Sequence, residues 1–97
     1  MANLALICST VRRAEAAQRA SVKWGREVLE LQDALHRLTL AHDAAPIGSP
    51  RRATLLASRI GVNNALDKAT KNRRAAHARW TNAQATLAAN PLPGDAI

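Results

Sequence analysis

His36, His42 and His77 are the only imidazoles in the chain, and Cys8 is its only thiol. No two of these histidines stand four residues apart, and Cys8 is remote from all three. A zinc-type site needs three or four nitrogen, sulfur or carboxylate ligands at a spacing that one turn or one helix face can gather. The sequence supplies no such set, so it predicts no metal and no cofactor. Nucleophilic catalysis would need a serine or cysteine on a glycine-framed elbow beside a base, and none is present. Four scattered glycines form neither a phosphate-cradling loop nor a dinucleotide fingerprint. Glu27 and Glu30 read as solvent-facing helix carboxylates. The expectation is a protein that is not an enzyme.

The reactive side chains present in quantity are cations. Fourteen Lys and Arg oppose seven Asp and Glu, a net charge of +7. Residues 3–43 are nearly balanced, whereas residues 50–89 carry Arg51, Arg52, Arg59, Lys68, Lys71, Arg73, Arg74 and Arg79 against Asp67 alone. Such an excess attracts nucleic acid, an acidic protein or an anionic membrane. Lys68, Lys71 and Arg74 lie three apart on one flank of a helix whose start carries Arg51 and Arg52. These five form a predicted basic face that could track phosphates, with affinity falling as salt rises. No aromatic platform or DNA-binding signature accompanies it. The turn and the helices are also too long for a helix-turn-helix. A basic helix face can equally be no more than a solvated one.

What must position these charges is the stretch Asp43–Pro50. Pro46 pushes Ala45 out of the helical region, and Gly48 permits backbone angles that other residues avoid. Ser49-Pro50 is an N-cap followed by proline at the first helical position. On either side lie two alanine-rich segments of nearly equal length. Apolar or small residues recur three or four apart from Leu4 through Ile7, Val11, Ala14, Ala17, Ser21, Trp24, Val28, Leu31 and Leu35 to Leu38. They do so again from Leu55 through Ser58, Val62, Leu66, Ala69, Arg73, Ala76 and Trp80 to Leu87. That is helical periodicity. The fold class is therefore all-α, a long antiparallel two-helix hairpin of coiled-coil character, with helix one about 3–43, a turn at 44–49, helix two about 50–89 and an extended tail at 90–97. Each helix would measure about 60 Å.

Folding the two stripes about the turn gives a seam of Trp24, Leu31, Leu35, Leu38, Leu55, Val62, Leu66, Ala69 and Trp80. It sets Leu38 against Leu55, Leu31 against Val62, Trp24 against Ala69 and Trp80 against Ala14, large against small. Arg73 falls in this seam, where its stem can pack while its guanidinium reaches water. An alternative breaks helix two near Gly61, with Asn63 or Asn64 capping a third helix. Val22, Leu29, Leu56 and Ile60 lie off the seam and, with Leu92 of the tail, are candidates for docking a partner.

Composition sets the outer limits. Ninety-seven residues make one domain, and with no Phe or Tyr and only two Trp the core is thin. The single cysteine excludes an internally disulfide-stapled secreted fold. The N-terminus is a poor signal peptide, and no run of apolar residues is long enough to span a membrane. A soluble protein, intracellular or enclosed in a particle, is expected. Small helical hairpins of this kind occur in subunits of large assemblies, including virus particles and ribosome-like complexes. The leading expectation is thus a structural subunit of an assembly such as a virion or another nucleoprotein particle. The alternatives are a small regulator that occupies an acidic or nucleic-acid-binding site on an enzyme, and a nucleic-acid-binding protein without sequence preference. A protein partner or a second copy is expected in each case, with nucleic acid a further possible partner.

Overall fold

The computed structural model describes residues 3–91, and these form two helices, α1 (Leu4–Ala44) and α2 (Pro50–Ala89), folded as an all-α hairpin. Among the described residues there is no strand. The helix ends are closed by side chains. Asn3 Oδ1 accepts the Leu6 N–H at 3.0 Å, a cap for α1. At the other end the Ala45 N–H is shared between the carbonyls of Ala41 and His42, each at 3.1 Å. Pro46 follows and forbids a further turn. The Pro46 carbonyl then accepts the Ser49 N–H at 3.1 Å, and Gly48 adopts φ +79°, the positive angle this turn requires of its third residue. Ser49 Oγ accepts the Arg52 N–H at 3.2 Å, and Pro50 opens α2. At the far end Asn90 Nδ2 donates to the Thr86 carbonyl at 2.9 Å just before Pro91.

Helix α2 runs unbroken through Gly61, so the three-helix alternative does not hold. One glycine costs a helix about 1 kcal/mol relative to alanine. Leu55, Val62 and Leu66 each bury part of a large side chain on either side of Gly61, and only a continuous helix keeps them on one face.

The chain divides into two compact units. The turn unit is Trp24–Lys71. In it α1 turns inward Trp24, Val28, Leu31, Leu35, Leu38 and His42, and α2 turns inward Arg52, Leu55, Arg59, Val62, Leu66 and Ala69. Steps of three and four alternate along both helices, the heptad spacing that winds paired helices around each other. The terminal unit joins residues 1–23 to residues 72–97. Its buried positions are Ile7, Thr10, Ala14 and Ala17 on α1 and Ala76 and Ala83 on α2, with Trp80 and Leu87 partly buried.

The seam departs from the sequence-based one in some of its occupants. Thr10, not Val11, occupies the inward position: Thr10 is fully buried and Val11 exposed. The threonine hydroxyl donates to the Leu6 carbonyl at 2.7 Å, so burial leaves no polar atom without a partner. Arg59 replaces Ser58, and Asn72 is more buried than Arg73, which is exposed. Arg52 reaches Ala45, and Ala17 shares a groove with Arg79 and Ala83.

Candidate functional site

Two kinds of surface emerge from this packing. The first is apolar. Among the described residues the buried apolar side chains are Ile7, Val28 and six alanines. Several larger ones are outside: Val22 is 58% exposed, Leu29 67%, Leu56 43% and Ile60 55%, with Leu40 and Ile47 also exposed. An alanine methyl fits between closely approaching helices, whereas a leucine at the same depth would force them apart. In the turn unit Leu56 and Ile60 line a groove of about 300 Å³ with Leu35, Thr39, Arg59 and Asn63. Leu56 also borders a second hollow of about 250 Å³ beside His42, Arg52 and Ala53. The remaining docking candidate, Leu92, lies outside the described residues.

The second surface is cationic, and its distribution differs from the one suggested by helix two alone. Arg51, Lys68, Lys71 and Arg74 are exposed, but Arg52 is half-buried. Its Nη1 donates to the Ala45 carbonyl at 3.0 Å, so this guanidinium serves the turn rather than an outward face. Charge is divided by unit. The terminal unit carries Arg12, Arg13, Arg19 and Lys23 on α1 and Arg73, Arg74 and Arg79 on α2, against Glu15 as the one acidic side chain among its described residues. The turn unit has the same number of cations but sets them against Glu27, Glu30, Asp33, Asp43 and Asp67.

In the turn unit several charges are engaged within the fold. Arg37 pairs with Asp33 at 3.0 Å on the exposed face of α1. His42 Nδ1 lies 3.0 Å from Asp43 Oδ1. That hydrogen bond holds the Asp43 carboxyl below its ordinary range; slight desolvation opposes it, and the charges of His42, Arg59 and Arg52 add to it.

The terminal unit instead holds a groove of about 390 Å³ walled by cations. Arg13, Ala16 and Ala17 line it from α1, and Arg79, Asn82, Ala83 and Thr86 from α2. Arg13 Nη2 donates to the buried Thr10 Oγ1 at 3.0 Å. Arg79 has no carboxylate partner among the described residues. Helix spacing alone could not have revealed this site, because it joins residues from both helices and depends on their register. Farther along α2, His77 stacks on Trp80 with ring centroids 5.9 Å apart.

No group of three or more His, Cys, Asp or Glu among the described residues could hold a metal. No helix there is long and apolar enough to cross a membrane. Compared with protein-family models, with curated proteins and with solved structures, the chain has no match in any of the three.

Proposed function

We propose that this chain is a non-catalytic structural subunit of a larger assembly, of the nucleoprotein-particle or virion type, that docks its neighbours through apolar side chains its own seam leaves outside. One observation carries the reading: Val22, Leu29, Leu56 and Ile60 stand exposed, while the seam of the terminal unit is built largely of alanine. Burying an alanine methyl contributes about 0.8 kcal/mol, and burying a leucine or isoleucine about 1.5–3 kcal/mol. The chain therefore keeps much of its capacity for hydrophobic stabilisation in reserve for contacts with other molecules. The exposed apolar groove in the turn unit and the cationic excess of the terminal unit give such a subunit two chemically different surfaces.

Sedimentation of the full chain over a wide concentration range tests this. A subunit of this kind self-associates, or melts at low temperature when alone. A Leu29→Ser, Leu56→Ser, Ile60→Ser triple variant should sediment as a smaller species. A compact monomer of high thermal stability, unaffected by these substitutions, would instead favour a free-standing regulator.

A further inference from the structure

We propose that the groove between Arg13 and Arg79 is a phosphate-binding site that takes the backbone of a nucleic-acid strand. The proposal rests on the assembly reading for its setting and on separate residues for its support. Arg13 is fixed in place. Its Nη2 donates to Thr10 Oγ1, and the hydroxyl of the buried Thr10 donates in turn to the Leu6 carbonyl. A guanidinium has five N–H donors, so this single bond leaves the others for a ligand. Arg79 approaches from the other helix, has no carboxylate partner among the described residues, and shares its wall with the Asn82 side chain. Two like charges facing one hollow repel each other unless an anion lies between them. No acidic side chain lines the groove to play that part.

The assembly reading favours phosphate over carboxylate. A phosphodiester presents two non-bridging oxygens in a tetrahedral arrangement, so guanidiniums on opposite walls can each take one. A guanidinium fork matches a carboxylate as well as a phosphate, and the polyglutamate arm of the test below separates the two. The exposed methyl group of Ala16 offers a small apolar surface for the sugar carbons beside the phosphate, above the nearly buried Ala17 and Ala83. No aromatic ring lines the groove. Recognition is therefore of the backbone and tolerates any base sequence.

The test measures binding of fluorescein-labelled oligothymidylate to the full chain by anisotropy across a salt series. Arg13→Gln with Arg79→Gln should weaken binding more than tenfold. It should also flatten the dependence of log K on log salt by about 0.7 for each phosphate that is no longer neutralised. Lys68→Gln with Lys71→Gln removes equal charge from the turn unit and should leave most of the affinity and slope intact. Equal losses in the two double variants would mean diffuse attraction and overturn the proposal. So would polyglutamate of matched length binding as tightly and responding to the same groove variants, which would assign the site to an acidic protein segment. Arg79→Gln alone breaks no ion pair within the described fold, so it keeps the test decisive should the double variant unfold; its affinity should fall at least severalfold. Sedimentation reads the apolar side chains separately. Failure of the groove with association intact leaves the assembly reading standing, and the converse leaves the groove standing.

Discussion

Arg52 Nη1 donates to the backbone carbonyl of Ala45 at 3.0 Å, so the first turn of α2 closes the end of α1 across the loop. Ala45 is itself buried and Arg52 half-buried, which shields the bond from water. A hydrogen bond from a charged group contributes about 1.5–3 kcal/mol, so Arg52→Ala should lower unfolding stability by about that amount. Its neighbour Arg51 is exposed, and Arg51→Ala should change stability by less than about 0.5 kcal/mol. Urea melts of the two variants would show the contrast.

The two described glycines whose surroundings are open should respond in opposite directions to alanine. Gly48 has φ +79°, where a Cβ is strained regardless of space, so Gly48→Ala should cost roughly 1–2 kcal/mol. Gly61 lies within α2 at an ordinary angle, and a Cβ added there would meet nothing within 4 Å. Gly61→Ala should therefore stabilise by about 0.5–1 kcal/mol. Thermal melts decide it, and a destabilised Gly61→Ala would show that the helix does not pass through this position intact.

These glycines also show which features are legible in a sequence. A turn is marked by residues that act through their own backbone angles, so Pro46, Gly48, Ser49 and Pro50 announce it without reference to anything distant. Gly61 misleads because its local cost is outweighed by packing of the adjacent Val62 and of Leu55 and Leu66 one to two turns away. Thr10 escapes notice because its hydroxyl is satisfied by its own helix, allowing a polar residue to sit in the seam. Arg52 reads as an outward charge because its acceptor is a main-chain carbonyl, which leaves no mark on the side-chain pattern. The Arg13–Arg79 groove is illegible for a different reason. Periodicity defines the inward face of each helix, but two stripes of equal period match at several registers, and the groove exists in one of them.

Asp43 provides a check on the electrostatics of the turn. The hydrogen bond from His42 comes first, with the nearby positive charges adding to it, and together they depress this carboxyl below its ordinary value. A carboxyl with a depressed folded pKa adds stability that is fully present above the unfolded value, about 3.9. That stability disappears as pH falls through the lower folded value. Carboxyl NMR titration should accordingly place the Asp43 midpoint below the ordinary aspartate value of about 3.9. In His42→Leu the midpoint should move upward, and an unchanged midpoint would remove the imidazole as the main cause.

The alanine seam makes the most demanding prediction. Ala76 is completely buried, and Ala14, Ala17 and Ala83 are nearly so, which leaves little room for a side chain beyond a methyl. Enlarging a buried apolar residue usually offers more hydrophobic area, but a well-packed site forfeits about 1–3 kcal/mol through displaced neighbours. A two-helix seam yields most easily by letting the helices separate, and separation also costs Trp80 its packing. Ala76→Leu should thus destabilise, whereas Leu at the exposed neighbour, Ala75, should shift stability by less than about 0.5 kcal/mol. Trp80→Ala should destabilise as well, approaching the roughly 3–5 kcal/mol seen for buried aromatics but falling short because the indole is only partly covered. Filling the seam and emptying it would then both harm the fold, as interlocked packing requires. A stabilised Ala76→Leu would mean that the helices stand apart there, and the close approach inferred from the buried alanines would fail.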